Sequence, residues 1–287
     1  MYAVLAIGLG LLLVAGVVRS LEKSLIYFPP RYPLGFEPSE KYGLHLEEVW
    51  IRAVDGVRLN AFYFSNPSSR TVLLWFHGNA ENIGYGLEQM KAFTELGGNI
   101  LEVDYRGYGK SEGRPDEAGL YRDAEAAYRY LLEARRFRPE EVIFFGQSLG
   151  GAVAVELASR HPCGGLILQS TFTSARDMAR RMFAIPLFAY VIQSRFDSLG
   201  KMARVRAPVL IVHGTNDEIV PFAMGQKLYA LAPEPKQFLA VAEAGHNDVL
   251  HVGGQEYIKC LKAFVAGRRP AAAIRPEALA GNPNAAR

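Results

Sequence analysis

Gly146-Gln147-Ser148-Leu149-Gly150 constrains the fold more than any other stretch, because of what flanks it. Val142-Ile143-Phe144-Phe145 precedes it, a run of apolar, strand-forming residues, and Gly151-Ala152-Val153-Ala154-Val155-Glu156-Leu157-Ala158 follows and reads as a helix. A G-x-S-x-G pattern at a strand-to-helix turn holds its serine on a sharp, strained corner. Side chains at the flanking glycines would collide with neighbouring strand and helix backbone. The helix start also directs its amide dipoles at charge developing beside the serine. The plainer reading of the pentapeptide alone, a glycine-rich turn with an incidental serine, weakens once a strand and a helix stand on either side.

The rest of the chain reads as strands alternating with helices. Glu48-Val49-Trp50-Ile51 and Val57–Phe64 flank Asp55-Gly56, a hairpin signal. Strands are then predicted at Val72–Phe76, Asn99–Val103, Glu141–Phe145, Leu166–Gln169, Val209–Val212 and Gln237–Val241. Helical patterns fall at Glu81–Leu96, Asp116–Arg135, Leu149–Ser159, Met224–Ala230 and Tyr257–Phe264. An opening hairpin followed by such alternation indicates an α/β fold with a mostly parallel central sheet. Residues 171–206 are long for a connection within it. They contain the apolar run Met182–Ile192 and more basic than acidic residues, with Arg176, Arg180, Arg181, Arg195, Lys201, Arg204 and Arg206 against Asp177 and Asp197. As a lid over the site, with Met182, Phe183, Ile185, Leu187 and Phe188 facing substrate, this segment suits an acyl chain and an anionic bilayer surface. As a structural cap it would carry a solvated basic rim.

The N-terminus is different in kind. Tyr2–Val18 carries no charged residue, and at helical rise it covers about 25 Å, enough for a short membrane span. No Lys or Arg precedes it, which argues for an uncleaved anchor over residues 1–18 against a cleaved signal or a buried core helix. Arg19, Lys23 and Arg31 follow, which puts the domain on the cytoplasmic side by the positive-inside rule, a periplasmic or extracellular side being the alternative. Residues 19–46 read as an irregular linker whose aromatics pack on the domain or sit at the membrane interface. Residues 47–267 form the catalytic unit, and residues 268–287, rich in Ala, Pro, Asn and Arg without periodicity, read as a disordered tail. The 32 basic residues nearly balance 29 acidic ones, which argues against a nucleic-acid partner. Cys163 and Cys260 form neither a metal spacing nor a disulfide framework.

A serine hydroxyl needs a base to take its proton and an acid to orient that base. On a turn of this kind the chain order is serine, acid, histidine. Of the six histidines, His45 and His161 are isolated, His77 and His213 open His-Gly pairs at strand ends where a turn-stabilising role suits them, and His251 falls at a helix start. His246, in Ala244-Gly245-His246-Asn247-Asp248 just beyond the last strand, is the expected general base and acid. Asp217, after the strand that ends at Val212, is the expected orienting acid, with Asp197 as runner-up and Glu218 and Asp248 behind it. Attack on a carbonyl also makes an oxyanion. Its expected donors are the backbone amides of Leu149 and of Asn79, in the loop Phe76-His77-Gly78-Asn79-Ala80-Glu81-Asn82. Asp104-Tyr105-Arg106-Gly107-Tyr108-Gly109 reads as a self-bonded structural loop rather than a pocket wall.

Taken in order, His77–Asn82, Asp104–Gly109, Gly146–Gly151, His213–Asp217 and Gly245–Asn247 resemble the α/β-hydrolase superfamily over residues 47–266. The chain is most similar to its membrane-anchored branch of abhydrolase-domain depalmitoylases and lysophospholipid or monoacylglycerol lipases. The resemblance implies an α/β-hydrolase fold with a lid after strand six, the triad Ser148, Asp217 and His246, and neither metal nor cofactor. Depalmitoylases of that branch carry an N-terminal cysteine cluster, but here no cysteine precedes Cys163, so acyl-ester hydrolysis is favoured over protein depalmitoylation. The expectation is a membrane-associated serine esterase or lipase acting on an acyl-ester lipid or a lipidated substrate. A serine peptidase, a small-ester esterase and a catalytically silent membrane scaffold are the alternatives.

Overall fold

In the computed structural model, residue 16 and residues 22–24, 26–32, 42–182 and 192–267 are described. The expected tail at 268–287, the expected anchor at 1–18 apart from Gly16, the lid residues Phe183, Ile185, Leu187 and Phe188, and the side chain of Met182 lie outside them. Among the described residues no helix is long and apolar enough to cross a membrane.

The described residues build one sheet of eight strands. These are β1 (Leu46–Arg52), β2 (Arg58–Phe64), β3 (Val72–Phe76), β4 (Asn99–Val103), β5 (Val142–Gln147), β6 (Gly165–Gln169), β7 (Val209–Gly214) and β8 (Lys236–Val241), in the order β1-β2-β4-β3-β5-β6-β7-β8. β1 pairs antiparallel with β2, and β2 with β4; every later pair is parallel. This is the α/β-hydrolase arrangement. β3 to β7 are mostly apolar and buried along their whole length, as central strands under helices on both faces must be. β1, at the sheet edge, instead alternates buried Val49 and Ile51 with exposed Trp50 and Arg52.

Helices cover both faces. α1 (Leu87–Phe93) and α7 (Val249–Val265) pack on one side, where Leu73, Trp75, Ile143 and Phe145 point. α2 (Glu117–Glu133), α3 (Leu149–Ala158) and α6 (Phe222–Leu231) pack on the other, against Leu74, Phe76 and Phe144. Alternate residues of a strand thus feed two cores. The short helices α4 (Ala175–Met182) and α5 (Ser198–Met202) belong to the long connection after β6.

Three elements differ from the sequence expectation. The helix predicted from Glu81 starts only at Leu87. The intervening amides are taken by side chains: Ile83 donates to Asp104 Oδ1 at 3.0 Å and Gly84 to Asn82 Oδ1 at 3.0 Å, bonds that compete with helix. The last helix begins at Val249 rather than Tyr257, and it is broken at Gly254, whose φ of 48° and ψ of −134° are non-helical. Residues 19–46 are not irregular throughout, since 22–24 and 26 are helical. Tyr27 is 3% exposed and meets Phe196 edge-on, so this aromatic packs on the domain.

Candidate active site

Ser148 closes β5 and caps α3, with φ 51° and ψ −112°, a conformation that side chains rarely adopt. Two glycines make this corner possible. A Cβ on Gly146 would lie 2.4 Å from the carbonyl oxygen of Gly150, and one on Gly150 would lie 2.0 Å from that of Phe76. Neither neighbour is a flexible side chain, so α3 can sit this close to β3 and β5 only without side chains there. The corner is tied to the next strand, with the Ser148 amide donating to Gln169 O at 2.9 Å and Thr171 Oγ1 to Ser148 O at 2.7 Å.

Two loops from the same sheet edge complete the constellation. His246, beyond β8, places Nε2 3.1 Å from Ser148 Oγ and Nδ1 2.8 Å from Asp217 Oδ2. Asp217, beyond β7, is held by four donors. Its Oδ1 accepts the amides of Ile219 at 3.0 Å and Val220 at 2.7 Å. Its Oδ2 faces His246 Nδ1 and, at 3.2 Å, His213 Nε2. Burial alone would raise the Asp217 pKa. Hydrogen bonds from His213 and His246, joined by the Val220 amide, outweigh burial and hold it below the usual carboxylate range. An ionised, acceptor-only carboxylate requires a proton on His246 Nδ1, which leaves the Nε2 lone pair to face the serine hydroxyl.

The structure therefore brings Ser148, His246 and Asp217 into one hydrogen-bonded row and leaves the other candidates elsewhere. Asp197 caps α5, accepting the Gly200 amide at 2.9 Å. Asp248 accepts the Gly245 amide at 2.7 Å, within the histidine loop. Residues 104–109 hold one another and their neighbours, with Tyr105 Oη donating to His77 O at 2.9 Å and Arg106 Nη2 2.7 Å from Asp123 Oδ1. His77 is buried with Nδ1 2.7 Å from Gly78 O, a turn contact. His213 has a second role that its His-Gly context did not suggest. Val220 O, 2.9 Å away, and Asp217 are both acceptors, so Nε2 carries the proton and supports the triad carboxylate.

Ser148, His246, Asn79 and Leu149 line one cavity of about 530 Å³. Ile26, Phe28, Phe172, Met178, Ile192 and Phe196 make much of its wall, so the apolar lining comes from both the N-terminal segment and the long connection after β6. The amides of Asn79 and Leu149 are bonded to no other group among the described residues. Of α4, Ala175, Met178 and Ala179 line the cavity, while Arg180 pairs with Asp177 at 3.2 Å. Among the described residues no group of His, Cys, Asp and Glu is placed to hold a metal ion.

A family described as "Serine aminopeptidase, S33" matches residues 67–199. Protein bem46 of Schizosaccharomyces pombe is 34% identical over 271 residues, covering 89% of each chain. Alpha/beta hydrolase domain-containing protein 17B of Xenopus laevis is 39% identical over 205 residues, 70% of this chain and 68% of that one. Among solved structures, a Pyrococcus furiosus esterase superposes with a TM-score of 0.70 at 20% identity, covering 84% of this chain and 98% of that one. At that identity the likeness speaks for the fold.

Proposed function

The chain belongs to the α/β-hydrolase superfamily, and on that premise we propose that it is a membrane-associated serine hydrolase that cleaves acyl esters through Ser148, His246 and Asp217. The observation that carries this reading is the row of two short contacts, 2.8 Å from Asp217 to His246 and 3.1 Å from His246 to Ser148, with Ser148 and His246 lining an apolar cavity. His246 Nε2 takes the proton of Ser148 as Oγ bonds to the substrate carbonyl carbon. The carbonyl oxygen becomes an oxyanion and accepts the amides of Leu149 and Asn79, each such donor being worth about 3 kcal/mol in the transition state. His246 then gives its proton to the leaving oxygen or sulfur, the bond to it breaks, and an acyl-serine remains. Water repeats the sequence with His246 as base, the acid departs, and Ser148 recovers its proton. The apolar walls suit an acyl chain, and the apolar residues 2–18 suit delivery to a bilayer.

A fluorophosphonate probe is expected to form a covalent adduct on Ser148, and Ser148→Ala to abolish p-nitrophenyl ester hydrolysis without unfolding the protein. Turnover by that variant would remove Ser148 as the nucleophile, and a folded wild type that never labels would favour the scaffold reading. Deletion of residues 1–18 is expected to release the protein from the membrane fraction; a truncated protein that still pellets places the membrane contact elsewhere. The match to the serine aminopeptidase family favours a second reading, a peptidase. Parallel assays on acyl esters and on aminoacyl amides decide between the two, and faster amide turnover selects the peptidase.

A further inference from the structure

The side chain of Asn79 has a bonding pattern that the triad does not explain. Its Nδ2 donates to Ile26 O at 2.6 Å, and its Oδ1 accepts the Phe28 amide at 3.1 Å and the Tyr108 hydroxyl at 2.8 Å. All three partners are remote in sequence, and two are backbone groups of the segment before the sheet. That segment is itself anchored. Gly109 N donates to Pro30 O at 3.0 Å, Arg31 Nη1 donates to the carbonyls of Gly109 at 3.0 Å and Ser111 at 3.1 Å, and Tyr32 Oη lies 3.0 Å from Asp104 Oδ2. Upstream, buried Glu22 accepts the amides of Gln193 at 2.8 Å and Ser194 at 2.7 Å, within the long connection after β6. The loop that Asn79 belongs to needs such support, because the next residue, Ala80, has φ 56° without being glycine. A strained conformation persists only where its surroundings over-determine it.

Resting on the serine-hydrolase reading, we propose that residues 26–32 are a strap that sets the oxyanion-binding amide of Asn79, with the Asn79 carboxamide as the clasp and Tyr108 as its backing. Asn79 thereby serves twice: its amide faces the cavity, and its side chain holds that amide in register with Leu149. Residues 26–32 are then a working wall of the active site and not merely the link to the residues before them. Ile26 and Phe28 line the cavity from the same strap. Oxyanion donors act through pre-organisation, so an amide that swings by a fraction of an ångström loses much of its effect while substrate binding is little changed.

The test uses the full-length protein and its Ser148→Ala variant as reference. Asn79→Ala is expected to lower kcat about 10- to 100-fold with KM nearly constant. Affinity for a trifluoromethyl ketone, which forms a tetrahedral oxyanion on the serine, should fall in parallel with kcat/KM. Tyr108→Phe removes only the backing hydroxyl and should move both quantities the same way by less. Its effect should vanish in the Asn79→Ala background, because the two act through one group. Phe28→Pro deletes the amide that Asn79 accepts, whereas Phe28→Ala keeps it, so kcat should fall further in the proline variant. If Asn79→Ala does not fold, the Tyr108 and Phe28 variants decide. Wild-type kcat and inhibitor affinity in those variants, with Ser148→Ala inactive, would overturn the strap and leave the serine hydrolase standing. An active Ser148→Ala overturns both.

Discussion

At the residue scale, Asp217 is the most heavily supported side chain of the site. Two histidines and two amides converge on one carboxylate, and together they outweigh its burial. Replacing it with asparagine keeps the shape but presents an N–H₂ group to imidazoles that are themselves donors. His246 would then rotate or change tautomer, and its Nε2 would no longer receive the serine proton. Asp217→Asn is expected to cut turnover roughly 10⁴-fold with the fold retained, as steady-state kinetics and a thermal melt would check. An intact rate would return the role to another carboxylate, and Asp197, engaged as the cap of α5, would need a large movement to take it. Ser148, His246 and Asp217 could all be picked from local patterns because each has strong immediate context: a glycine-flanked turn, or a loop just past a buried strand. The support from His213 was hidden, since its side-chain partners depend on how the loop 214–220 folds back over it.

At the element scale, the decisive contact is the approach of α3 to β3 and β5. Gly150 stands where a Cβ would lie 2.0 Å from Phe76 O, and a backbone carbonyl in a central strand cannot give way. Gly150→Ala is therefore expected to push α3 outward and carry Ser148 and the Leu149 amide with it. Overpacking of this kind costs about 1–3 kcal/mol, and a backbone clash sits at the upper end of that range. The variant should melt several degrees lower and lose most hydrolase activity; a wild-type melting temperature with full activity would show that the elbow tolerates a side chain. The buried strands were legible to within a residue or two because runs such as Val72–Phe76 have no alternative fate. The start of α1 was not. Helical spacing runs back to Glu81, but the Asp104 and Asn82 side chains capture the amides that a helix would need.

At the scale of the whole molecule, buried and partly buried carboxylates set opposing responses to pH. Asp55 in the opening hairpin accepts Arg106 and Arg122 at 2.8 Å each, and Arg106 also grips Asp123 on α2, so one guanidinium joins hairpin, β4 loop and helix. The Arg106 hydrogen bond chiefly, then its charge and Arg122, bring Asp55 from 3.8 to about 2 against its burial. The Arg138 amide chiefly, with Arg138 and Arg70 side chains, brings Glu141 from 4.5 to about 2. Both carboxyls are depressed in the folded state, so their stabilisation is complete above the ordinary values and disappears as pH falls through about 2. Glu102 acts in the opposite sense. It is fully buried on β4, neither oxygen has a partner among the described residues, and burial, then Asp104 and Glu81, hold its pKa well above 4.5. Its contribution therefore turns unfavourable as pH rises above 4.5. Melting temperatures across pH are expected to fall steeply on the acid side in wild type and less steeply in Asp55→Asn. Glu102→Gln should gain on wild type progressively above 4.5; parallel curves for all three proteins would show that these groups do not govern the response.

The sequence by itself determined the layered α/β architecture, the elbow and the three residues that meet there. Hydrophobic runs, glycine sterics and the order of short motifs are local properties, and each survives without knowledge of the rest of the chain. Only the tertiary structure decided that the segment before the sheet reaches the active site, that Asn79 is clasped by Ile26 and Phe28, and that His213 supports Asp217. Those contacts join residues whose spacing carries no periodicity. They arise because the parallel sheet brings its loops to one edge, where unpaired backbone groups and buried polar side chains must find partners in whatever segment crosses them.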